Sequence, residues 1–531
     1  MKRRYLTFLL AVVCTLTAVL CGCGDGKSGA EPTNNGSSGE ETGSKSENGD
    51  TTNGASIGGG EIVVGISQDL DSSLDPHQMV AAGTAGTREV LFNVFEGLVK
   101  PDSDGNLIPA VAIDWSIVGS TYTFILREGV LFHNGDTVTA EDVVYSINRC
   151  ADASSETTYV PAFSVVKSVS AVDASTIVIE LAEPDTEFLA LLTVAVIPAD
   201  YDGQAAAPVG TGPFRFVSYS PQESLVLDRF DDYWGEPAYL DKVTFQIIPS
   251  METMIMSLNS GAIDIAAHLG VDQAGQLSSD RFNILEGSMN LVQALYLNHT
   301  VAPFDNVQVR KAMCYAVNVE EIMQVLADGR GFPTGSSMYP AFSKYFAKDL
   351  VDSYPYDPEK AVELLTEAGF PDGFSMTITV PSNYDPHVTT AQILVEQLAA
   401  VGITARIDLV EWTTWVSEAY AGHNFSSTVV GLAASTMTAQ DMLARFESAS
   451  SKNFIGFSNE DYDRVFAAAR ASQDDAEQVA LYKQLQTILA EEAANVYLQD
   501  LCDLVAVNSQ LTGYVFYPIY VMDLSGVRFS A

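Results

Sequence analysis

The chain has 531 residues, 47% of them hydrophobic and 10% aromatic, enough for more than one core. Its 68 acidic against 27 basic residues give a net charge of −41, which would repel phosphate backbones and excludes a nucleic-acid binder. The excess acid reads as a solubilising surface, with attraction of cationic solutes left open.

Lys2, Arg3 and Arg4 precede an apolar run from Tyr5 to Leu20. That run is short for a membrane span of about 20 residues and right for a signal peptide. It ends in Leu20-Cys21-Gly22-Cys23, which resembles a bacterial lipobox. Residues 1–22 are therefore expected to be a lipoprotein signal and Cys23 the lipidated residue, the alternative being an ordinary signal peptide or an uncleaved anchor. From there to residue 60 the chain is almost all Gly, Ser, Thr, Asn, Glu, Lys and Asp, and buries too little to offset its ordering entropy. Residues 23–60 read as a disordered, lipid-anchored tether with a coil dimension of about 30–35 Å. Diacylglycerol on Cys23 would supply the two chains that stable anchoring needs. Cys150, Cys314 and Cys502 each sit in an apolar run and read as inert thiols, not as a disulfide framework or a metal site.

Residues 61–66 (EIVVGI) are a strand leading to His77, a lone histidine with no second ligand at metal spacing, read as framework. Residues 90–149 read as helix, turn (Pro101 to Asn106), strand, turn and helix. Tyr122, Phe124 and Leu126 share one strand face at period two, and Thr139 caps the last helix with Asp142 three residues on. His133, in the turn before that helix, is also read as structural. A strand follows at 175–181. Gly210-Thr211-Gly212-Pro213 lacks the Gly-Lys-Ser/Thr of a phosphate loop and reads as a tight crossing. Residues 251–264 are a helix ended by Gly261, its methionines core packing.

The next half alternates. Asp357-Pro358-Glu359 starts a helix with Ala361, Leu364, Leu365 and Ala368 on one face and Gly369 closing it. Then come strand 374–380, a helix with Ala391, Leu394, Leu398 and Val401 in one stripe, a strand near 403–410, helix 412–420 and strand 426–432. Helices at 459–470 and about 475–492 precede the final return. Strands alternating with helices predict a largely parallel sheet here.

Several segments stand together in order: FEGLV, DGNLIPAVA, TYTFILREGVLFHNGD and VTAEDVVYSINR, then GTGPF, YWG and LDKVTFQIIPS, then LYLNHTVAPFDNVQVRKAM. In combination they are similar to the family 5 extracellular solute-binding proteins of ABC importers, the oligopeptide/dipeptide/nickel-binding class, over about residues 61–530. The resemblance implies an α/β, two-lobed, periplasmic-binding-protein-like fold with an extra inserted subdomain and crossing hinge strands. Lobe I would be 61–104, 209–299 and 508–531, the inserted subdomain 105–208, and lobe II 300–507. It also implies a receptor on the outer face of the cytoplasmic membrane, at the cell surface or in the periplasm, that captures a small solute by hinge closure. The solute would pass to permease and ATPase subunits, without cofactor or metal.

The residues themselves offer no enzyme. HExxH, GxSxG, GxxxxGK[ST], a strand-borne GxGxxG and paired CxxC are all missing, and six scattered histidines form no triad. A surface hydrolase is the third class to set beside importer receptor and non-transport surface receptor.

In peptide-binding relatives, an Asp in a Trp-x-Ala-Asp-like segment after a second-lobe strand holds the peptide's α-amino group. The matching stretch runs from Gly431 to Met437, with Leu432 in the tryptophan position and Ser435 in the aspartate position. A buried ammonium without its carboxylate loses several kcal/mol. Asp69, Asp71 or Asp441 would have to substitute. The candidate solute-binding residues are Asp69, Asp71, Tyr145, Tyr384, Trp412, Trp415, Ser435 and Met437. Trp412 and Trp415 lie at a strand-to-helix edge, where doubly wound sheets place ligands, with lobe packing the other reading. Short peptides are the expected cargo; a sugar, an opine-like compound or a nickel chelate is the alternative.

Overall fold

The computed structural model describes residues 59–434 and 438–530. The expected signal, Cys23 and nearly all of the tether lie outside the described residues, as do Ser435 and Met437.

Glu61–Ile66 runs through a seven-stranded sheet, hydrogen-bonded in parallel to Lys242–Ile247 and Ile265–Leu269. The sheet continues outward through antiparallel pairs, ending in Phe214–Ser220 on one side and Phe282–Ser288 on the other. Ile62, Val64, Leu227, Val243, Phe245 and Val505 pack into one of its two cores. Gly210 and Gly212 press against it: an added Cβ would come within 2.2 Å of the Val94 carbonyl oxygen and 2.6 Å of the Asn93 carbonyl oxygen. That close approach explains the glycines.

A four-stranded antiparallel sheet (Ala112–Val118, Thr121–Leu126, Thr176–Leu181, Val166–Ala171) forms a separate layer within residues 105–208. Tyr122, Phe124 and Leu126 are buried in it beneath helix Ala140–Ala151, as the alternation predicts. The capping box forms: Asp142 N donates to Thr139 Oγ1 and Thr139 N donates to Asp142 Oδ2 at 2.8 Å. From the last turn of this helix, Arg149 pairs with Asp75 at 2.5 Å and meets His77 Nδ1 at 3.0 Å. His77 Nε2 bonds the Ala195 carbonyl at 2.9 Å, and burial holds its pKa down at about 4. His133 likewise bonds Gly212 O at 3.0 Å. Both histidines are framework.

The third sheet has six strands, ordered Phe332–Pro333, Asn495–Asp500, Leu291–Leu297, Ser427–Ala433, Ser375–Pro381 and Thr404–Val410. It is mixed, against the largely parallel sheet expected. Ser375–Pro381 pairs in parallel with both of its neighbours, while the other three pairings are antiparallel. Leu291–Leu297 enters from the seven-stranded sheet across residues 289–290, and Asn495–Asp500 leaves to it across residue 501, so each joins a strand of the other sheet directly and not through a helical crossover.

These crossings also shift the expected lobe limits. Leu291–Leu297 belongs to the six-stranded sheet and Cys502–Asn508 to the seven-stranded one, so the sheets divide at 289–290 and at 501, not at 299/300 and 507/508.

Candidate functional site: a cleft between two sheets

The C-terminal end of Glu61–Ile66 opens onto a cavity of about 320 Å³. One wall comes from the seven-stranded side: Gly65 to Gln68, Glu89 and Val90 of helix Ala85–Leu91, Ala267 to Val271, and Tyr520. The other comes from the six-stranded side: Leu326, Ala327 and Asn383 to Pro386. Met289 and Leu501, the crossing residues, form its floor between the sheets.

The chemistry of the first wall centres on His268. It sits at φ +60°, at a register shift between Ile265–Leu269 and Cys502–Asn508. Bulges and left-handed residues of this kind re-aim a side chain and cost strain that the surroundings must hold. Asp503 holds this one: its Oδ1 accepts from His268 N and lies 3.1 Å from Nδ1. On the far side, Nε2 is 3.0 Å from Glu89 Oε1 and 2.7 Å from the Tyr520 hydroxyl, with the Tyr520 ring stacked on the imidazole. Burial alone would lower this histidine's pKa; the Asp503 and Glu89 carboxylates outweigh it and hold the pKa well above the usual value.

A second contact between the sides lies at the inserted subdomain. Glu187 accepts from the backbone N–H of Ala439 at 2.7 Å and of Gln440 at 3.2 Å, and from the Tyr482 hydroxyl. Burial raises its carboxyl to about 8. Arg470 pairs with Glu183 at 3.3 Å beside it.

The residues expected from sequence are dispersed by comparison. Tyr384 lines the cavity, in edge contact with Trp412 at 5.4 Å. Trp412 is 38% exposed and stacks on Trp415 at 5.1 Å. Trp415 is 3% exposed, donates its Nε1–H to Thr428 Oγ1 at 2.9 Å and belongs to the lobe core, which corrects its reading as a cleft residue. Its helix changes register here, with Trp415–Tyr420 π-helical.

Asp69 accepts from the Tyr219 hydroxyl and Gln222 N, and Asp71 from Thr84 N. Both serve loop structure in the first lobe, and neither lines the cavity. Tyr145 packs half-buried against the seven-stranded core. Asp441 pairs with Lys452 at 2.9 Å.

Glu89, His268, Asp503, Tyr520 and Glu187 escaped the sequence reading. The only local hint was a histidine two residues before Gly270, at a strand end.

Two sheets enclosing a cavity, with paired crossings between them, define a hinged binding protein. The comparisons give its family. The family model described as "Bacterial extracellular solute-binding proteins, family 5 Middle" matches residues 106–454. Heme-binding protein A of Haemophilus influenzae is 30% identical over 452 residues, 77% of this chain and 82% of that protein. Glutathione-binding protein GsiB of Pectobacterium atrosepticum is 30% identical over 470 residues, 84% and 90%. Among solved structures, the ABC transporter-associated periplasmic binding protein DppA of Helicobacter pylori, in complex with peptide STSA, superposes with a TM-score of 0.74 at 28% identity, covering 89% of this chain and 98% of that one. The chain belongs to the bacterial extracellular solute-binding proteins of family 5. It is an extracytoplasmic binding component of the ABC-importer class and not an enzyme.

Proposed function

We propose that this protein is a lipid-anchored receptor that captures short peptides by closing its two lobes and hands them to the permease of an ABC importer. The observation that carries the size class is the cavity. About 320 Å³ lies at the lower end of the ~300–1,000 Å³ typical of small-molecule pockets, which suits a short peptide and not a long one. Walls from both sides support closure, since contacts made only when the cleft is shut are what give a solute differential affinity for the closed form. Relatives named for glutathione and for a bound tetrapeptide support the peptide class.

Anchoring rests on the Cys23 motif: Cys23→Ala should move the protein from the membrane fraction to the soluble one, and a variant retained on membranes removes the claim. For cargo, a thermal-shift screen against peptides, sugars, opines and nickel chelates decides, because a solute that binds only the folded form raises the melting temperature by mass action. Shifts with di- to tetrapeptides are expected; a shift with a sugar and none with peptides overturns the assignment.

A further inference from the structure

The cavity wall is chemically one-sided. Glu89 and Asp385 line it from opposite lobes, and no lysine or arginine is among its lining residues. The one cationic side chain present, His268, is already held between Glu89 and Asp503. Two carboxylates against one imidazolium leave a negative charge uncompensated on this wall.

Glu89 is the member of this group that a solute can reach and use. It is only 6% exposed. Its Oε1 faces His268 Nε2, and its Oε2 has no donor among the described residues. That oxygen belongs to a residue lining space large enough for a solute. The His268 bulge fixes the orientation: Asp503 grips both the backbone N–H and the imidazole, the imidazole grips Glu89, and Oε2 is left as the remaining acceptor.

We infer that Glu89 is the specificity-determining carboxylate of this cleft, receiving an N–H-bearing organic cation of the solute, with His268 as its positioning residue. Asp385, on the other lobe, adds a second negative group that meets the same cation only when the cleft is shut. The inference rests on the solute-binding reading and deepens it. A peptide's α-ammonium is the cation that reading supplies, and a free amine of another solute class would fit the same wall.

The test is calorimetric titration of the full chain in detergent with trialanine, N-acetyltrialanine, putrescine and maltose, on wild type and on Glu89→Gln. The expected result is binding of a free amine that weakens at least about 30-fold on N-acetylation and by a similar factor in Glu89→Gln, the lower range for removing one partner of a buried charge pair. If trialanine binds wild type and Glu89→Gln equally, the inference is wrong and the peptide reading stands. If trialanine fails while putrescine binds in a Glu89-dependent way, the peptide reading is wrong and the inference stands. Binding of maltose or N-acetyltrialanine alone overturns both. Should Glu89→Gln fail to fold, Glu89→Asp shortens the reach of the carboxylate while keeping its charge, and trialanine affinity unchanged in that variant overturns the inference.

Discussion

Glu89 and Glu187 make an instructive pair. Each is 6% exposed and each stands where the two sides of the molecule meet, yet they are held by opposite chemistry. Glu89 faces an imidazolium that Asp503 also supports. Among the described residues, Glu187 meets only neutral donors: two backbone N–H groups and the Tyr482 hydroxyl. With no cation in contact among the described residues to offset burial, the Glu187 carboxyl is raised to about 8, whereas at the other site the two carboxylates lift His268. A charged cluster suits a wall that must recognise a charged solute. Neutral hydrogen bonds suit a contact that has only to close and reopen, because separating them exposes no bare ion.

The largest expected effect comes from removing the cation of the first site. His268→Asn keeps a side chain that tolerates the left-handed backbone but cannot carry charge. It leaves Glu89 and Asp503 uncompensated and should destabilise by about 3 kcal/mol, the low end for breaking a buried ion pair, since the His268 side chain is 24% exposed. Urea unfolding measures it; a loss under about 1 kcal/mol would mean the imidazole is only packing.

The pH dependence separates the two sites. His268, raised above its usual 6.5, gives stability that is fully present below pH 6.5 and fades as pH rises past it. Glu187, raised from 4.5 to about 8, keeps in the folded state a proton that the unfolded chain has released, so its contribution falls as pH climbs from about 4.5 to 8. Asp185, Tyr345 and Arg470 also act on that region, and Asp500, likewise raised to about 8, adds the same trend. His77, His133, His299 and His387, held near 4 by burial, act oppositely between about 4 and 6.5. The informative quantity is therefore the difference from wild type. Glu187→Gln should remove a falling slope across pH 4.5–8, and His268→Asn only above 6.5. Identical difference curves would show that the two sites do not differ in kind.

Local rules made much of the fold legible. The period-two face of Tyr122, Phe124 and Leu126, the Thr139–Asp142 cap and the Asp357-Pro358 start of helix Pro358–Glu367 each depend on neighbours within a few residues, and each formed. The cleft depends on distance. Glu89 and His268 are 179 residues apart, and His268 and Asp503 another 235, so no spacing announces them. The bulge that aims His268 carries no Gly or Asn at the left-handed position, the usual written sign of one. Position 435 drew attention because a known pattern broke there, while Glu89 carried no mark in the sequence at all. Trp415 followed the other of its two readings: EWTTW marks the right sheet edge, but its second tryptophan packs in the lobe core.

The smaller effects test the neutral contact from within. Tyr482→Phe removes one hydroxyl bond to Glu187 and should cost about 1–3 kcal/mol, the range for leaving a buried polar group short of a partner. Arg470→Ala breaks an ion pair only a few residues away along the same segment, between side chains 38% and 64% exposed. Solvent and the entropy of two long side chains reduce such a pair to about 0–1 kcal/mol, and salt screens what is left. The order is the point. Both contacts join Glu183–Glu187 to the six-stranded side, one charged and exposed, the other neutral and buried. If Arg470→Ala costs more than Tyr482→Phe in urea unfolding at physiological salt, then charge and not burial governs how this segment meets the second lobe, and the contrast with Glu89 loses its basis.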